Sequence, residues 1–218
     1  MGGCRKNLRG GRSSAAGIFV RPGQGRKIDY PEPEAAPGPD LRDHRDVSDR
    51  DPARLFLALW PPAPLRARLA AYRDAWRWPA GARPVADAKL HATLHFIGSF
   101  RRDRQAALRE ALGMVTIEPL HLDLAGSDVW RGGIAVALLA AEPTLLALHA
   151  RVGAALTGLG VTIDPRPYRP HVTLARKATR AQPPAVLPAL PWRANAFALV
   201  ESRGGGYEVL ATWGEADR

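Results

Sequence analysis

The segment Leu90-His91-Ala92-Thr93-Leu94 recurs further along the chain as Pro170-His171-Val172-Thr173-Leu174. The two copies share the pattern His-x-Thr-Leu. Each copy falls in a stretch whose composition predicts a β-strand, and each has a basic residue two positions before the histidine. A short motif that recurs in matching contexts favours a chain built from two related halves.

The alternation of side chains along a strand assigns a face to each motif residue. In each copy the histidine and the threonine share one face, and the leucine lies on the other. By the same rule, His95 joins the face of His91, and Phe96 joins the face of Leu94. We therefore expect the leucines to enter the core, and the two His-Thr pairs to face a common groove.

Two histidines and two threonines that face one groove suit phosphate-ester chemistry. Imidazole titrates near neutral pH, so one ring can act as the base while the other acts as the acid. Threonine hydroxyls can donate hydrogen bonds to the phosphate oxygens on which charge develops. We expect this chemistry to need no metal and no cofactor.

The residues around the motifs predict an α+β fold with antiparallel sheets, because several strands are joined by hairpins and only a few helices intervene. A hairpin turn is expected at residues 131–133 and another at residues 204–206, and Gly98 is expected to end the first motif strand. The predicted strands are 54–60, 89–97, 120–124, 133–140, 171–176, 196–202 and 207–213, and the predicted helices are 64–76, 103–115 and 142–159.

Composition separates a tail from a body near residue 51. Residues 1–27 hold seven basic residues and no acidic one, whereas residues 28–51 are rich in acids and proline. Such a segment buries too little apolar surface to offset its ordering entropy. We expect residues 1–51 to form a disordered extension that is basic, then acidic, and rich in proline and glycine. We expect residues 52–218 to form the folded domain.

Charge and cysteine content narrow the classes of function. The chain of 218 residues has a formal net charge of +10, which favours an anionic partner such as nucleic acid. Its single cysteine, Cys4, excludes a disulfide framework and a cysteine-based zinc site. No apolar run reaches the length of a spanning helix. These features predict a cytoplasmic protein without a membrane partner.

The motifs resemble those of the two-histidine (2H) phosphoesterase superfamily, and most closely its RNA 2′,3′-cyclic phosphodiesterases, the 2′-5′ RNA ligase-like family. The resemblance extends over residues 54–213 and includes an opening Arg-Leu-Phe-Leu-Ala-Leu strand and an Arg-Pro lead-in before the second motif. It implies a bilobal fold with two pseudo-symmetric lobes around a central cleft.

The same resemblance implies hydrolysis of a 2′,3′-cyclic phosphate at an RNA 3′ end to a 2′-phosphate. Carried over to this sequence, His91 would protonate the departing 3′ oxygen and His171 would deprotonate the attacking water. Thr93 and Thr173 would hold the phosphate. The near symmetry of the site leaves open which histidine is the acid and which is the base. The resemblance also implies reversible, cofactor-free 2′-5′ ligation.

Residues near the second motif are further candidates for substrate binding. Tyr168 and Trp130 could stack on a base, and Arg169 and Arg176 could pair with phosphate. His95 has zincin-like spacing from His91, but the strand context and the lack of a following glutamate argue against a metal. His121 and His149 are expected to be surface or structural residues.

Two other functions stay open on the sequence alone. One is a phosphodiesterase for a small cyclic phosphate, and the other is a non-catalytic module that binds RNA ends. Both motifs keep the histidine and the threonine that catalysis needs, which favours the enzyme, because a binding module could have lost any of these residues. We expect a monomer.

Overall fold

The structure, a computed structural model, describes residues 51–215. The predicted disordered extension over residues 1–51 lies outside the described residues, apart from Asp51. Strand β1 starts at Pro52, the first residue of the predicted folded domain.

Strands and helices alternate irregularly along the chain, as expected for an α+β fold. The strands are β1 (Pro52–Leu59), β2 (Arg83–Pro84), β3 (Ala92–Arg101), β4 (Leu120–Leu122), β5 (Leu124–Trp130), β6 (Ile134–Leu139), β7 (His171–Arg176), β8 (Trp192–Ala194), β9 (Ala196–Arg203) and β10 (Gly206–Gly214). The helices are α1 (Ala63–Asp74), α2 (Gln105–Gly113) and α3 (Pro143–Gly158). Short 3-10 turns cover Asp87–Lys89 and Arg102–Arg104.

Most of these strands form one large antiparallel sheet in the order β10-β9-β1-β3-β7-β6-β5, with β2 paired to β7. Strands β4 and β8 form a separate pair. Within the large sheet, β3 and β7 meet at the antiparallel pair Ala92 and Val172. This junction divides the sheet into two halves, β10-β9-β1-β3 and β7-β6-β5, and places the two motifs side by side at its centre.

Helices cover the sheet because their apolar faces pack against it. Leu65, Leu69 and Tyr72 of α1 are buried, and the Tyr72 hydroxyl is hydrogen-bonded to Ser127 of β5. Helix α3 packs against β3 and against α2, which also contacts β10. Helix α1 therefore covers the half that contains β7, and the other two helices cover the half that contains β3.

Both motif strands carry one extra residue at the leucine. Leu57 pairs with His95 and the next residue, Ala58, pairs with Thr93, so Leu94 is left between the two pairs. In β7 the pairs Ala135–Ala175 and Val136–Thr173 leave Leu174 in the same position. Such a bulge shifts every later residue of the strand to the opposite face.

The bulge overturns the predicted faces of two residues. His95 was expected beside His91 but is buried in the core, with 5% of its surface exposed. Phe96 was expected in the core but is 67% exposed and lies on the face of His91, since Phe56 contacts both rings. Gly98 does not end the strand either, because β3 continues through it with a second register shift and a φ of 76°.

Candidate active site

The two motif histidines are held by the same backbone contact. His91 Nδ1 lies 2.6 Å from the carbonyl oxygen of Lys89, and His171 Nδ1 lies 2.7 Å from that of Arg169. Each partner stands two residues before its histidine, which is where the sequence shows a basic residue. The structure uses the carbonyl group of that residue, a contact that any residue type can make.

This contact fixes the tautomer of each ring. A carbonyl oxygen only accepts hydrogen bonds, so Nδ1 of both His91 and His171 carries the proton that is donated. In the neutral ring Nε2 is then the acceptor. Both histidines therefore present Nε2 for proton transfer, and His91 Nε2 lies 3.1 Å from the Thr93 hydroxyl oxygen.

Aromatic side chains enclose His91. Trp60 stacks on its ring with centroids 5.3 Å apart and planes 4° apart, while Phe56 and Tyr207 approach at 5.0 and 5.5 Å. Lys89 donates a hydrogen bond to the Gly205 carbonyl oxygen, which ties the β9–β10 turn to the first motif. The ring is thereby enclosed by Phe56 of β1, by Trp60 directly after β1 and by Tyr207 of β10.

Sequence reasoning missed Phe56, Trp60 and Tyr207 as cleft residues. The segment 54–60 is apolar on both faces, so its composition gives no sign that alternate residues leave the core. Leu55, Leu57 and Leu59 enter the main core, whereas Phe56 packs in a second cluster with Ala58, Ala198, Val200 and Trp60. That second cluster is the wall of the cleft beside His91.

The second histidine rests on Trp130, whose ring centroid is 4.5 Å away in an edge-on arrangement. Arg169 lies over the other part of that ring, 4.9 Å from the centroid, and 3.5 Å from Asp128. Trp130 is only 7% exposed. Trp130 thus packs between His171 and Arg169. The sequence predicts an open ring on which a base could stack, whereas the Trp130 ring is buried.

Tyr168 packs against α3 and the first motif strand. Its ring stacks on His149 with centroids 4.0 Å apart, and its hydroxyl donates a 3.0 Å hydrogen bond to the Thr93 carbonyl oxygen. His149 in turn stacks on His95 at 3.9 Å. One face of Tyr168 is therefore covered, and its hydroxyl connects the lead-in of the second motif to the first motif strand.

This stack also accounts for His95 and His149. His95 Nε2 donates a 2.9 Å hydrogen bond to the His149 carbonyl oxygen, and His95 lies against Gly153 of α3. A side chain at Gly153 would approach the His95 ring to 3.2 Å. His149 is thus structural, as the sequence predicts, and His95 lies away from the cleft.

Burial and positive charge lower the pKa of both motif histidines. Burial lowers the pKa of His91 to about 4, and the positive charges of His171 and Arg176 add to the effect. Burial also lowers the pKa of His171, with smaller contributions from Arg169 and Arg176. The backbone hydrogen bonds to Lys89 and Arg169 act in the opposite direction. The neutral form of both rings is favoured until an anion enters.

Arg176 occupies the position in β7 that Phe96 occupies in β3, five residues after the histidine. Because both strands bulge at the leucine, this position returns to the face of the histidine and the threonine. The charge of Arg176 lowers the pKa of His91 and of His171, so its guanidinium acts on both sides of the cleft. Its role in substrate binding stays a prediction.

Among residues 51–215, no group of three or more histidine, cysteine, aspartate or glutamate side chains could hold a metal ion. In the same part of the chain, no helix is long and apolar enough to cross a membrane.

The fold and the paired histidines define a class of two-histidine phosphoesterases, and comparison with known proteins agrees. The family model of the 2'-5' RNA ligase superfamily matches residues 61–206. The chain therefore belongs to this superfamily of 2H phosphoesterases.

Two curated relatives have the same name, RNA 2',3'-cyclic phosphodiesterase. The protein of Escherichia coli is 31% identical over 133 residues, which cover 60% of this chain and 76% of the relative. The protein of Thermus thermophilus is 34% identical over 174 residues, which cover 72% of this chain and 87% of the relative.

Solved structures give the same result for the fold. The crystal structure of E. coli LigT complexed with 3'-AMP is similar at a TM-score of 0.64 and 27% identity, over 77% of this chain and 100% of that one. A crystal structure from T. thermophilus is similar at a TM-score of 0.64 and 29% identity, over 74% of this chain and 97% of that one. The predicted bilobal α+β fold is thus confirmed.

Proposed function

We propose that this protein is a hydrolase that opens RNA 2′,3′-cyclic phosphate termini and leaves a 2′-phosphate. The observation that carries the proposal is the matched pair of histidines, each with Nδ1 bonded to the carbonyl oxygen two residues earlier. The names of the curated relatives support the same reaction and the same substrate class.

In the proposed mechanism a water molecule attacks phosphorus opposite the 3′ oxygen. His171 Nε2 accepts the proton of the water while the new oxygen–phosphorus bond forms. The bond between phosphorus and the 3′ oxygen breaks, and His91 Nε2 donates a proton to that oxygen. The products are a 3′ hydroxyl and a 2′-phosphate, and the two histidines have exchanged protonation states.

The threonines would stabilise charge on the phosphate. Thr93 and Thr173 share the cleft face with the histidines, and their hydroxyls can donate to the two non-bridging oxygens. Arg176 would add a positive charge, and guanidinium pairs well with phosphate. In this proposal, the two histidines transfer the protons, and the two threonines and Arg176 stabilise the negative charge on the phosphate.

The anionic substrate also supplies the protonation state that the mechanism requires. Both histidines have a lowered pKa in the free protein, which disfavours the acid. A phosphate anion between the rings raises the pKa of whichever ring it faces. Substrate binding therefore promotes protonation of the histidine that must act as the acid.

The same site would join RNA ends when the 5′ hydroxyl of a second RNA replaces water as the nucleophile. His171 would accept the proton of that hydroxyl while a 2′-5′ phosphodiester forms, and His91 would protonate the departing 3′ oxygen. The two histidines would exchange roles only in the reverse step, in which the 3′ hydroxyl attacks the 2′-5′ phosphodiester, restores the cyclic phosphate and releases the 5′ hydroxyl. We expect hydrolysis to dominate in dilute solution, where water is in large excess.

Product analysis tests the proposal. The purified protein would be incubated with an RNA oligonucleotide that ends in a 2′,3′-cyclic phosphate, in the presence of EDTA and without ATP. We expect conversion to the 2′-phosphate by the wild type and not by His171→Ala. Formation of a 3′-phosphate, or equal conversion by the variant, would contradict the proposal.

A further inference from the structure

A groove of about 320 Å³ opens between the end of β1, the start of α1 and the β9–β10 hairpin. This volume lies at the lower end of the range for small-molecule sites. Its apolar wall contains Trp60, Pro62 and Val209, and its polar groups include Arg66, Thr212 and Glu215.

The groove adjoins the catalytic cleft through the side chain of Trp60. The Trp60 ring stacks on His91 and also lines the groove. Ala198 of β9 lines the groove as well, and it packs with Phe56 in the cluster that forms the cleft wall. The groove and His91 therefore lie on one continuous face of the sheet, with the indole of Trp60 between them.

The lining of the groove fits a nucleobase better than a second phosphate. Flat apolar walls with an indole provide a stacking surface for any base. At the edge of a base, the Thr212 hydroxyl can donate or accept a hydrogen bond and the Glu215 carboxylate can accept one. Glu215 would repel a phosphate placed next to it, so the phosphate of an adjoining nucleotide is expected on the side of Arg66.

Arg66 stands at the start of α1 and can reach the backbone of such a nucleotide. Its Nη1 donates to the Pro61 carbonyl oxygen over 3.4 Å. This contact uses one of the five N–H donors of a guanidinium. The remaining donors suit a phosphodiester, for which arginine provides a planar pair of N–H groups.

We propose that this groove binds the nucleoside immediately 5′ to the nucleotide that carries the cyclic phosphate. The proposal rests on the proposed hydrolysis of RNA cyclic phosphates and makes it more specific. It makes the preferred substrate an RNA chain of at least two nucleotides rather than a mononucleotide. Binding energy from a base remote from the reacting phosphorus would appear as a higher kcat/KM for the longer substrate.

The test compares two substrates that share the same 3′ nucleotide, a mononucleotide 2′,3′-cyclic phosphate and the corresponding dinucleotide. We expect the wild-type kcat/KM to be roughly 10- to 100-fold higher for the dinucleotide, as one stacked base contributes. Val209→Trp fills the groove with an indole, and the ratio of the two kcat/KM values should fall towards one.

The strand offers a matched control for this substitution. Glu208 is the neighbour of Val209, is also exposed, and points to the opposite face of β10. Glu208→Trp adds the same side chain outside the groove and should keep the wild-type ratio. Equal melting temperatures of the two variants would show that the difference does not come from unfolding.

The outcomes separate the groove from the reaction. If the wild type hydrolyses both substrates with equal kcat/KM, or Val209→Trp keeps the wild-type ratio, the groove proposal is overturned and the hydrolysis stands. If the wild type hydrolyses neither substrate, the proposed function fails. Calorimetric titration with the dinucleotide 2′-phosphate then decides the groove, since equal Kd values for the wild type and Val209→Trp would overturn it.

Discussion

Ala92 pairs with Val172 where the two halves of the sheet meet, one residue after His91 and one residue after His171. An antiparallel pair at this position relates the two motifs by an approximate two-fold rotation. Each histidine then faces the cleft from its own half, and each threonine follows on the same face. The repeated motif in the sequence therefore produces the symmetry of the site, because the two motif strands pair with each other in antiparallel orientation.

The two histidines should be separately essential. We expect His91→Ala and His171→Ala each to lower kcat by roughly 10²- to 10⁴-fold, since each removes a proton transfer. Circular dichroism and melting temperature should stay close to those of the wild type, because both rings border the cleft and neither belongs to the hydrophobic core. Full activity of either variant in a single-turnover assay would contradict the two-histidine mechanism.

A sulfur-substituted substrate assigns the acid and the base. In a cyclic phosphorothiolate with sulfur at the 3′ bridging position, the leaving thiolate needs no proton. The variant that lacks the acid should then recover much of its lost rate, whereas the variant that lacks the base should not. We expect the recovery in His91→Ala. Recovery in His171→Ala would exchange the two roles and leave the mechanism otherwise intact.

The pH dependence of the reaction should differ between kcat/KM and kcat. The pH profile of kcat/KM reports the pKa values of the free protein, in which the pKa of His91 is about 4 and the pKa of His171 is below its usual value. Its bell-shaped optimum should therefore lie on the acid side of the ordinary histidine pKa of about 6.5. Bound phosphate raises the pKa of the acid, so the kcat profile should be displaced to higher pH. Superimposable profiles for the two parameters would contradict this explanation.

Much of the fold can be predicted from the sequence, but the face of the sheet on which several strand residues lie cannot. The hairpins, the three helices and strand 171–176 agree closely with expectation, since turn residues and periodicity mark them. The bulges at Leu94 and Leu174 are invisible in composition, because a single added residue leaves the apolar pattern unchanged. His95 and Phe96 were assigned to the wrong faces for that reason.

The candidate site, too, can be predicted only in part from the sequence. The four motif residues follow from the repeated pattern, but the stacking of Trp60 on His91 depends on which face of an all-apolar strand turns outward. Tyr168 and Trp130 are near the site in sequence, yet packing uses their rings to support the motif strands. Proximity in sequence therefore indicates the neighbourhood of a side chain but not the direction in which its ring points.

The bulge in β3 has a direct consequence for stability. Leu94 is 3% exposed, so Leu94→Ala should lower the free energy of unfolding by about 2–5 kcal/mol. Phe96 is 67% exposed, so Phe96→Ala should change it by only about 0.5 kcal/mol. Urea denaturation of the two variants measures both values. Equal losses would contradict the assignment of the two residues to opposite faces.

The Tyr168 hydroxyl should position the first motif without touching substrate. Tyr168→Phe keeps the stack on His149 and removes the donor to the Thr93 carbonyl oxygen. We expect a loss of about 0.5–1.5 kcal/mol in unfolding free energy and a lower kcat with little change in KM. A large rise in KM for RNA with unchanged kcat would instead indicate direct contact with substrate.

The stack of His95, His149 and Tyr168 should make stability depend on pH. Burial lowers the pKa of His149 to about 4 and also lowers that of His95. Because the unfolded chain keeps a histidine pKa near 6.5, it binds more protons than the folded chain between about pH 4 and pH 6.5. The contribution to stability is therefore complete above about pH 6.5 and falls as the pH decreases through this window. His149→Phe preserves a stacked ring without a titrating group, so its unfolding free energy should decline less steeply on acidification.

His121→Phe, at an exposed position of β4, serves as the matched control and should follow the wild type. Identical slopes for His149→Phe and the wild type in urea denaturation across this pH window would assign the acid sensitivity to other groups.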